Sequence, residues 1–248
     1  MIFTQVVKKY KGHEKALLNI FPCKFQLMPK VISFISRKGG TGKTTNAINI
    51  ATALSEMGND VVLIESDINY SLREIRKQEL SETENRNVKM PDMEQTEEIG
   101  VVKMIKDFKA SWKYDFIIVD TAANITEYGI NRLSVHSDMV IVPTSLSMSD
   151  VMVTELTLKN ILPALEENKS LKVALLPNRI HVLTGHETVN ETLKHLKQLN
   201  VPVLDTIIPN LKLYTYISTI KTAEGYPEAA GNLLKLFVGE KTTAESGV

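Results

Sequence analysis

Short apolar bursts punctuate the chain: Val31 to Ile35, Val61 to Ile64, Phe116 to Val119, Met139 to Val142, Val173 to Leu176 and Val203 to Ile208. Each has the length of a strand, and most of them run apolar on successive positions instead of alternating with polar residues. Such strands are covered on both faces, as in a parallel sheet flanked by helices. Helical patterns lie between them, at Asn46 to Met57, Val101 to Lys109, Asp150 to Glu167, Glu187 to Leu199 and Glu228 to Phe237, with Gly58 beside Asn59 as a helix stop. The alternation predicts an α/β chain with a doubly wound, mostly parallel sheet and helices on both faces.

Two segments fall outside that rhythm. Residues 79–98 are acidic and polar and contain Pro91, which reads as a surface insertion. Residues 1–29 precede the first strand and are too few for a domain. They read as an N-terminal extension, either lying upstream of a native start at Met28 or forming a basic arm that touches DNA. Residues 30–248 then constitute one domain, within the size range of single α/β domains.

Composition narrows the class. At 43% hydrophobic and 23% charged residues, the chain is neither a disordered nor a membrane-spanning type. The absence of a long apolar run or a signal-peptide pattern leads to a cytoplasmic expectation. Cys23 is the sole cysteine, so an internal disulfide is excluded and a cysteine-held cluster is not expected. Net charge is zero, so any attraction to nucleic acid must be local. The N-terminal stretch is basic (Lys8, Lys9, Lys11, Lys15, Lys24 and Lys30 against Glu14), and the segment Glu79 to Glu98 is mostly acidic.

Chemistry concentrates after the first strand, in Lys38-Gly39-Gly40-Thr41-Gly42-Lys43-Thr44-Thr45. Polyphosphate binds where a glycine-rich turn aims backbone N–H groups at a helix N-terminus. This turn follows an apolar strand and opens a helix, as the motif requires. Arg37 stands where the strict phosphate-loop pattern has glycine, so the match is to a deviant form. Three fixed glycines and two fixed lysines coincide by chance with a probability on the order of 10⁻⁴ or less at ordinary glycine usage. Lys43 is expected to face the β and γ phosphates of ATP, and the Thr44 hydroxyl to ligate Mg²⁺. Asp120, at the end of Phe116-Ile117-Ile118-Val119, has the second metal-holding position.

The lysine directly before the glycine pair makes the turn resemble that of the ParA/MinD family of P-loop NTPases, and later segments resemble the family in order. The resemblance implies that Lys38 crosses a dimer interface to the partner's phosphates. It implies that Asp67, in Glu65-Ser66-Asp67, belongs to the metal and water site as the switch I acid. Asp120-Thr121-Ala122-Ala123 occupies the switch II place, and Val142-Pro143-Thr144 through Asp150 resembles the loop after the next strand. Pro177-Asn178-Arg179 resembles the adenine-contacting turn, where the amide of Asn178 both donates and accepts. Ile208-Pro209-Asn210 is similar to the second nucleotide-flanking turn, with Pro209 in the site. Ala122-Ala123 in place of Pro-Pro, Glu65 in place of Asp, and Ile68-Asn69 in place of Pro-Gln depart from the pattern. These departures bear on hydrolysis more than on binding.

The short, ParF-like members of the family are the closer match. They imply an ATP-induced homodimer that binds nonspecific DNA and is reset by hydrolysis under a ParB-like partner. Basic residues offered for DNA are Lys169, Lys172, Arg179, Lys194, Lys197, Lys212 and Lys221. The alternative is a MinD-like membrane-associated ATPase. It needs a basic amphipathic C-terminal helix, whereas the last helix carries Lys235 alone before the polar tail Gly239 to Val248.

Overall fold

The structure is a computed structural model that describes residues 28–67, 72–82, 88–145, 147–181, 184, 186–210 and 217–238. Residues 1–27, Ile68-Asn69, Lys212 and the tail from Gly239 lie outside the described residues, and so do the expectations that fall on them.

The chain runs β1 (Lys30–Phe34), α1 (Lys43–Glu56), β2 (Val61–Glu65), α2 (Leu72–Glu82), β3 (Asp92–Gln95), α3 (Glu98–Ser111) and β4 (Phe116–Asp120). It continues through α4 (Glu127–Val135), β5 (Met139–Thr144), α5 (Met148–Glu167), β6 (Lys172–Ile180), α6 (His186–Lys197), β7 (Ile208–Pro209) and α7 (Tyr226–Val238). The strands form one seven-stranded sheet in the order β3-β2-β4-β1-β5-β6-β7, with every pairing parallel.

The largely apolar strands divide by alternation between two cores, because successive side chains point to opposite faces. Ile32, Phe34, Leu63, Ile118 and Ile141 pack with α1 and α7, whereas Val31, Val62, Ile117, Val119 and Val140 pack with α3, α4, α5 and α6. Each fully buried aliphatic side chain contributes about 1.5–3 kcal/mol, so both faces hold the sheet. The doubly wound expectation holds, and the last helix is a core helix: Ala229, Ala230 and Leu233 are buried against the α1 side.

Residues 79–98 are not simply an insertion. Helix α2 extends to Glu82, and Asp92–Gln95 adds a parallel edge strand beside β2. The strand Asp92-Met93-Glu94-Gln95 is polar because an edge needs little apolar cover, which hid it from an apolar-run criterion. Helices α2 and α4 likewise match none of the helical patterns named in the sequence, and the burst Val203 to Ile208 is reduced to a bridge at Val203 and the short β7.

The site is positioned by one topological fact. The loop after β1 leads to α1 on one face, while the loop after its neighbour β4 leads to α4 on the other. Their divergence opens a crevice at the carboxyl ends of the strands.

Candidate nucleotide site

Helix α1 begins at Gly42 without a side-chain cap and is the only described helix with no acidic residue in its first turn. By contrast, α4 is capped by Thr126 and α5 by Ser147, and each carries an acid behind its cap. The α1 amides and the positive end of its dipole are therefore left for an external anion. Glycine is required at position 42 on two counts. Its φ is +91°, and a Cβ there would lie 2.3 Å from the Asn178 Nδ2.

Above the helix lies a cavity of about 430 Å³ lined by Gly40, Gly42, Lys43, Thr44, Thr45, Asp67, Thr121, Ala123, Asn178, Arg179, Pro209, Asn210, Ile217 and Tyr226. Most of the residues singled out in the sequence converge here. Lys38, Gly39, Thr41 and Asp120 do not line it. Asp120 lies beneath, and Lys38 is turned toward α5.

Lys43 is buried, with its Nζ donating to the Lys38 carbonyl at 3.2 Å. Burial lowers its pKa, against the pull of Asp120 and Asp67. Asp120 is 1% exposed, and neither carboxylate oxygen has a hydrogen-bond partner. Burial pushes its carboxyl up to about 7, although the nearby Thr44 hydroxyl and the Lys43 charge favour ionisation and Asp67 opposes it. Two orphaned carboxylate oxygens beside a threonine hydroxyl and a second carboxylate form an all-oxygen donor set, which fits a hard divalent cation. Glu65, paired with Asp120 across β2 and β4, is also raised to about 7 by burial, while its bond from the Leu72 N–H lowers it.

The supporting contacts include residues the sequence reading passed over. Asn46 donates to the Gly42 carbonyl at 2.7 Å and accepts from the Tyr226 hydroxyl at 2.9 Å, tying the turn to α7. Gln95, on the unpredicted edge strand, donates to the Asp67 carbonyl at 3.2 Å. The Ser66 hydroxyl donates to the Asp120 carbonyl at 3.1 Å and accepts from the Ala122 N–H at 3.1 Å, so one side chain joins the segments that follow β2 and β4. Asn178 is buried and donates to the Thr41 carbonyl at 2.7 Å. Apart from the bond of Asn46 to Gly42, these contacts link positions far apart in the chain, and no local signal reports them.

Lys38 is half-exposed and forms an ion pair with Asp150 at 2.5 Å. Burial alone would raise the Asp150 carboxyl, but Lys38 together with Ser145 and Ser147 holds it below the usual range. Arg37, the residue in place of the usual glycine, pairs with Glu127 at 2.6 Å.

The bases offered for DNA are scattered. Lys194 and Lys197 are exposed on α6, Lys169 and Lys221 lie exposed on turns, Lys172 donates to the Leu236 carbonyl, and Arg179 sits on the nucleotide crevice.

Comparison with known proteins settles the lineage. The model of the family described as VirC1 protein matches residues 29–220, most of the chain. The chain belongs to the VirC1 family. Protein virC1 of Rhizobium rhizogenes is 25% identical over 178 residues, spanning 70% of this chain and 76% of that one. Cobyrinic acid a,c-diamide synthase of Mycobacterium smegmatis, solved with an ATP analog and magnesium, superposes with a TM-score of 0.64 at 22% identity, over 84% of this chain and 95% of that one. A plasmid partition protein of Borrelia burgdorferi bound to AMPPNP gives 0.61 at 21% identity, over 85% and 99%. Through the VirC1 family the chain falls in the ParA/MinD group of P-loop ATPases, whose members act in partition or positioning.

Proposed function

We propose that this VirC1-family protein is an ATP-switched dimer that binds nonspecific DNA when loaded and is released by hydrolysis, which a ParB-like centromere-binding partner stimulates. The observation that carries the reading is the uncapped, acid-free start of α1 facing a crevice lined by Lys43, with the buried, unpartnered Asp120 near that lysine but outside the lining. No ordinary structural role explains a buried lysine and a buried bare carboxylate held together at an open helix N-terminus.

The amides of the turn Gly39, Gly40, Thr41 and Gly42 cradle the phosphates, Lys43 faces the β and γ groups, and Thr45 lines the wall behind them. Thr44, Asp120 and Asp67 would hold Mg²⁺ and its waters, and the ion would supply charge neutralisation for the transferring phosphoryl group. Asp67 orients the attacking water. Asn178 and Pro209 flank the base. Lys38 must leave Asp150 to reach the phosphates of a second copy, so the ion pair at 2.5 Å holds the resting chain. Binding to DNA then follows from cations brought together on the dimer, and it reads phosphates without base preference.

The test is co-sedimentation with DNA in ATP, ADP or no nucleotide, run beside anionic liposomes, for the wild type and Lys38→Ala. ATP-dependent, salt-sensitive pelleting with DNA alone is expected for the wild type. Lys38→Ala is expected to bind nucleotide as a monomer and to lose dimer affinity by about two orders of magnitude, the equivalent of a few kcal/mol of desolvated charge-assisted bonds. Pelleting with liposomes but not DNA would turn the assignment to a membrane ATPase, and an unimpaired Lys38→Ala dimer would end the switch reading.

A further inference from the structure

Arg179 departs from the geometry of its strand. Along β6, Ala174 and Leu176 point to the α1 face and Leu175 to the opposite one, so regular alternation would send Arg179 away from the phosphate turn. Instead its φ is +59°, a left-handed conformation uncommon for a non-glycine residue, and the β6–β7 register shifts between Asn178 and Ile180. The irregularity turns the guanidinium back over the crevice, where Nη1 donates to the Gly40 carbonyl and the side chain lines the nucleotide cavity. Asn178 and Arg179, neighbours in sequence, thereby hold two successive carbonyls, those of Thr41 and Gly40.

A trans peptide points its C=O and its N–H to opposite sides. Fixing the Gly40 carbonyl therefore fixes the Thr41 N–H, and fixing the Thr41 carbonyl fixes the Gly42 N–H. These are two amides of the turn that opens α1. Both flanking glycines have positive φ, 72° at Gly40 and 91° at Gly42, so the turn has little side-chain restraint of its own and gains its orientation from outside.

We infer that Arg179 is a positioning residue of the phosphate site: it locks the Gly40–Thr41 peptide with its N–H toward the anion and sets a cation at the rim. It is therefore not one of the DNA-contacting bases among which its charge placed it. The inference rests on the P-loop reading of the site. Left-handed strain at a single residue, maintained beside a binding crevice, is the kind of outlier that functional sites hold.

The test measures Mg·ATP binding by calorimetry for the wild type, Arg179→Gly, Arg179→Lys and a Lys43→Ala control, with duplex DNA binding followed at saturating ATP. Glycine tolerates positive φ, so Arg179→Gly is expected to melt at or above the wild type without nucleotide. It should nonetheless bind ATP about tenfold more weakly, because one charge-assisted anchor of the turn is gone. KM for ATP should rise in step while kcat at saturation holds, a split that a general loss of structure does not produce. Arg179→Lys keeps the charge but not the planar fork and is expected to lose about threefold. DNA binding at saturating ATP should match the wild type in both variants.

Wild-type ATP affinity in Arg179→Gly overturns the inference. Wild-type ATP affinity with weakened DNA binding overturns it in favour of the DNA footprint. Should the glycine variant melt below the wild type, Arg179→Lys decides: weakened ATP binding at an unchanged melting temperature supports the role, and full affinity overturns it. Undiminished ATP binding by Lys43→Ala is a separate result, which removes the P-loop reading itself.

Discussion

Asp120 and Asp138 stand at opposite ends of the sheet and could hardly be treated more differently. Asp138, at the amino ends of the strands, receives the Lys30 and Lys109 ammonium groups at 3.2 Å each and the Val31 N–H at 2.9 Å. Asp120, at the carboxyl ends, is more deeply buried and has no hydrogen bond on either oxygen. A cavity adjoins both ends, about 350 Å³ beside Asp138 and about 430 Å³ at the nucleotide crevice, so a hollow alone does not separate them. What separates them is satisfaction. A carboxylate already paired and hydrogen-bonded is complete within the fold, whereas one buried bare is tolerated only where something from outside completes it.

The contrast is broken most sharply by removing a cation from each end. Lys43→Ala is expected to abolish measurable ATP binding, a loss of more than about a hundredfold, because the charge facing the β and γ phosphates is gone. Lys109→Ala should bind ATP like the wild type, and calorimetry on the two variants compares them directly. Equal behaviour would place no special function at the crevice.

Turnover tests the acids next. Asp67→Ala should retain ATP and its dimer while hydrolysing about 10²-fold more slowly, since the lost group orients water and not phosphate. Single-turnover hydrolysis beside equilibrium binding separates the two effects, and wild-type turnover would shift the role to another acid such as Glu65.

A smaller effect sharpens the comparison in the protein without ligands. Asp138→Ala leaves the buried Val31 N–H without an acceptor and should destabilise by about 1–3 kcal/mol. Asp120→Asn removes a group whose ionised form is disfavoured, so denaturant unfolding should find it as stable as the wild type or more so at neutral pH. The reverse ranking would mean that Asp120, not Asp138, is the structural acid.

A last expected effect is in pH. The folded carboxyls of Glu65 and Asp120 titrate near about 7, above their ordinary values of 4.5 and 3.8. Between those limits the folded state holds protons that the unfolded state has lost. Their contribution to stability is therefore fully present below the ordinary carboxylate values and disappears as pH rises through about 7. Nucleotide-free protein should lose stability from pH 5 to 7.5, and the double variant Glu65→Gln with Asp120→Asn should flatten that slope. An unchanged slope would show that neither carboxyl is raised.

The sequence carried the order of the main elements because burial on both faces demands largely apolar strands, and Phe116 to Val119 or Met139 to Val142 can hardly be read otherwise. It carried the phosphate turn for a related reason. A backbone that must approach an anion through positive φ accepts glycine at Gly40 and Gly42, and that requirement is written locally. Edge strand β3 escaped because an edge is under no such pressure, and α4 because its few buried positions, among them Ile130 and Leu133, make a short pattern. Lys43 and Asp120 were likewise legible as candidates, but their state was not. Whether a carboxylate is paired like Asp138 or bare like Asp120 depends on which side chains the crossovers bring within reach. The same holds for the pairing of Lys38 with Asp150 and for Arg179, whose charge suggested one partner and whose backbone turned it toward another. Residue type and local spacing are properties of the chain, and they determined the fold class and which residues are candidates for the site. Burial, pairing and the direction of a side chain are set by contacts between residues tens to more than a hundred positions apart, and only the tertiary structure decided them.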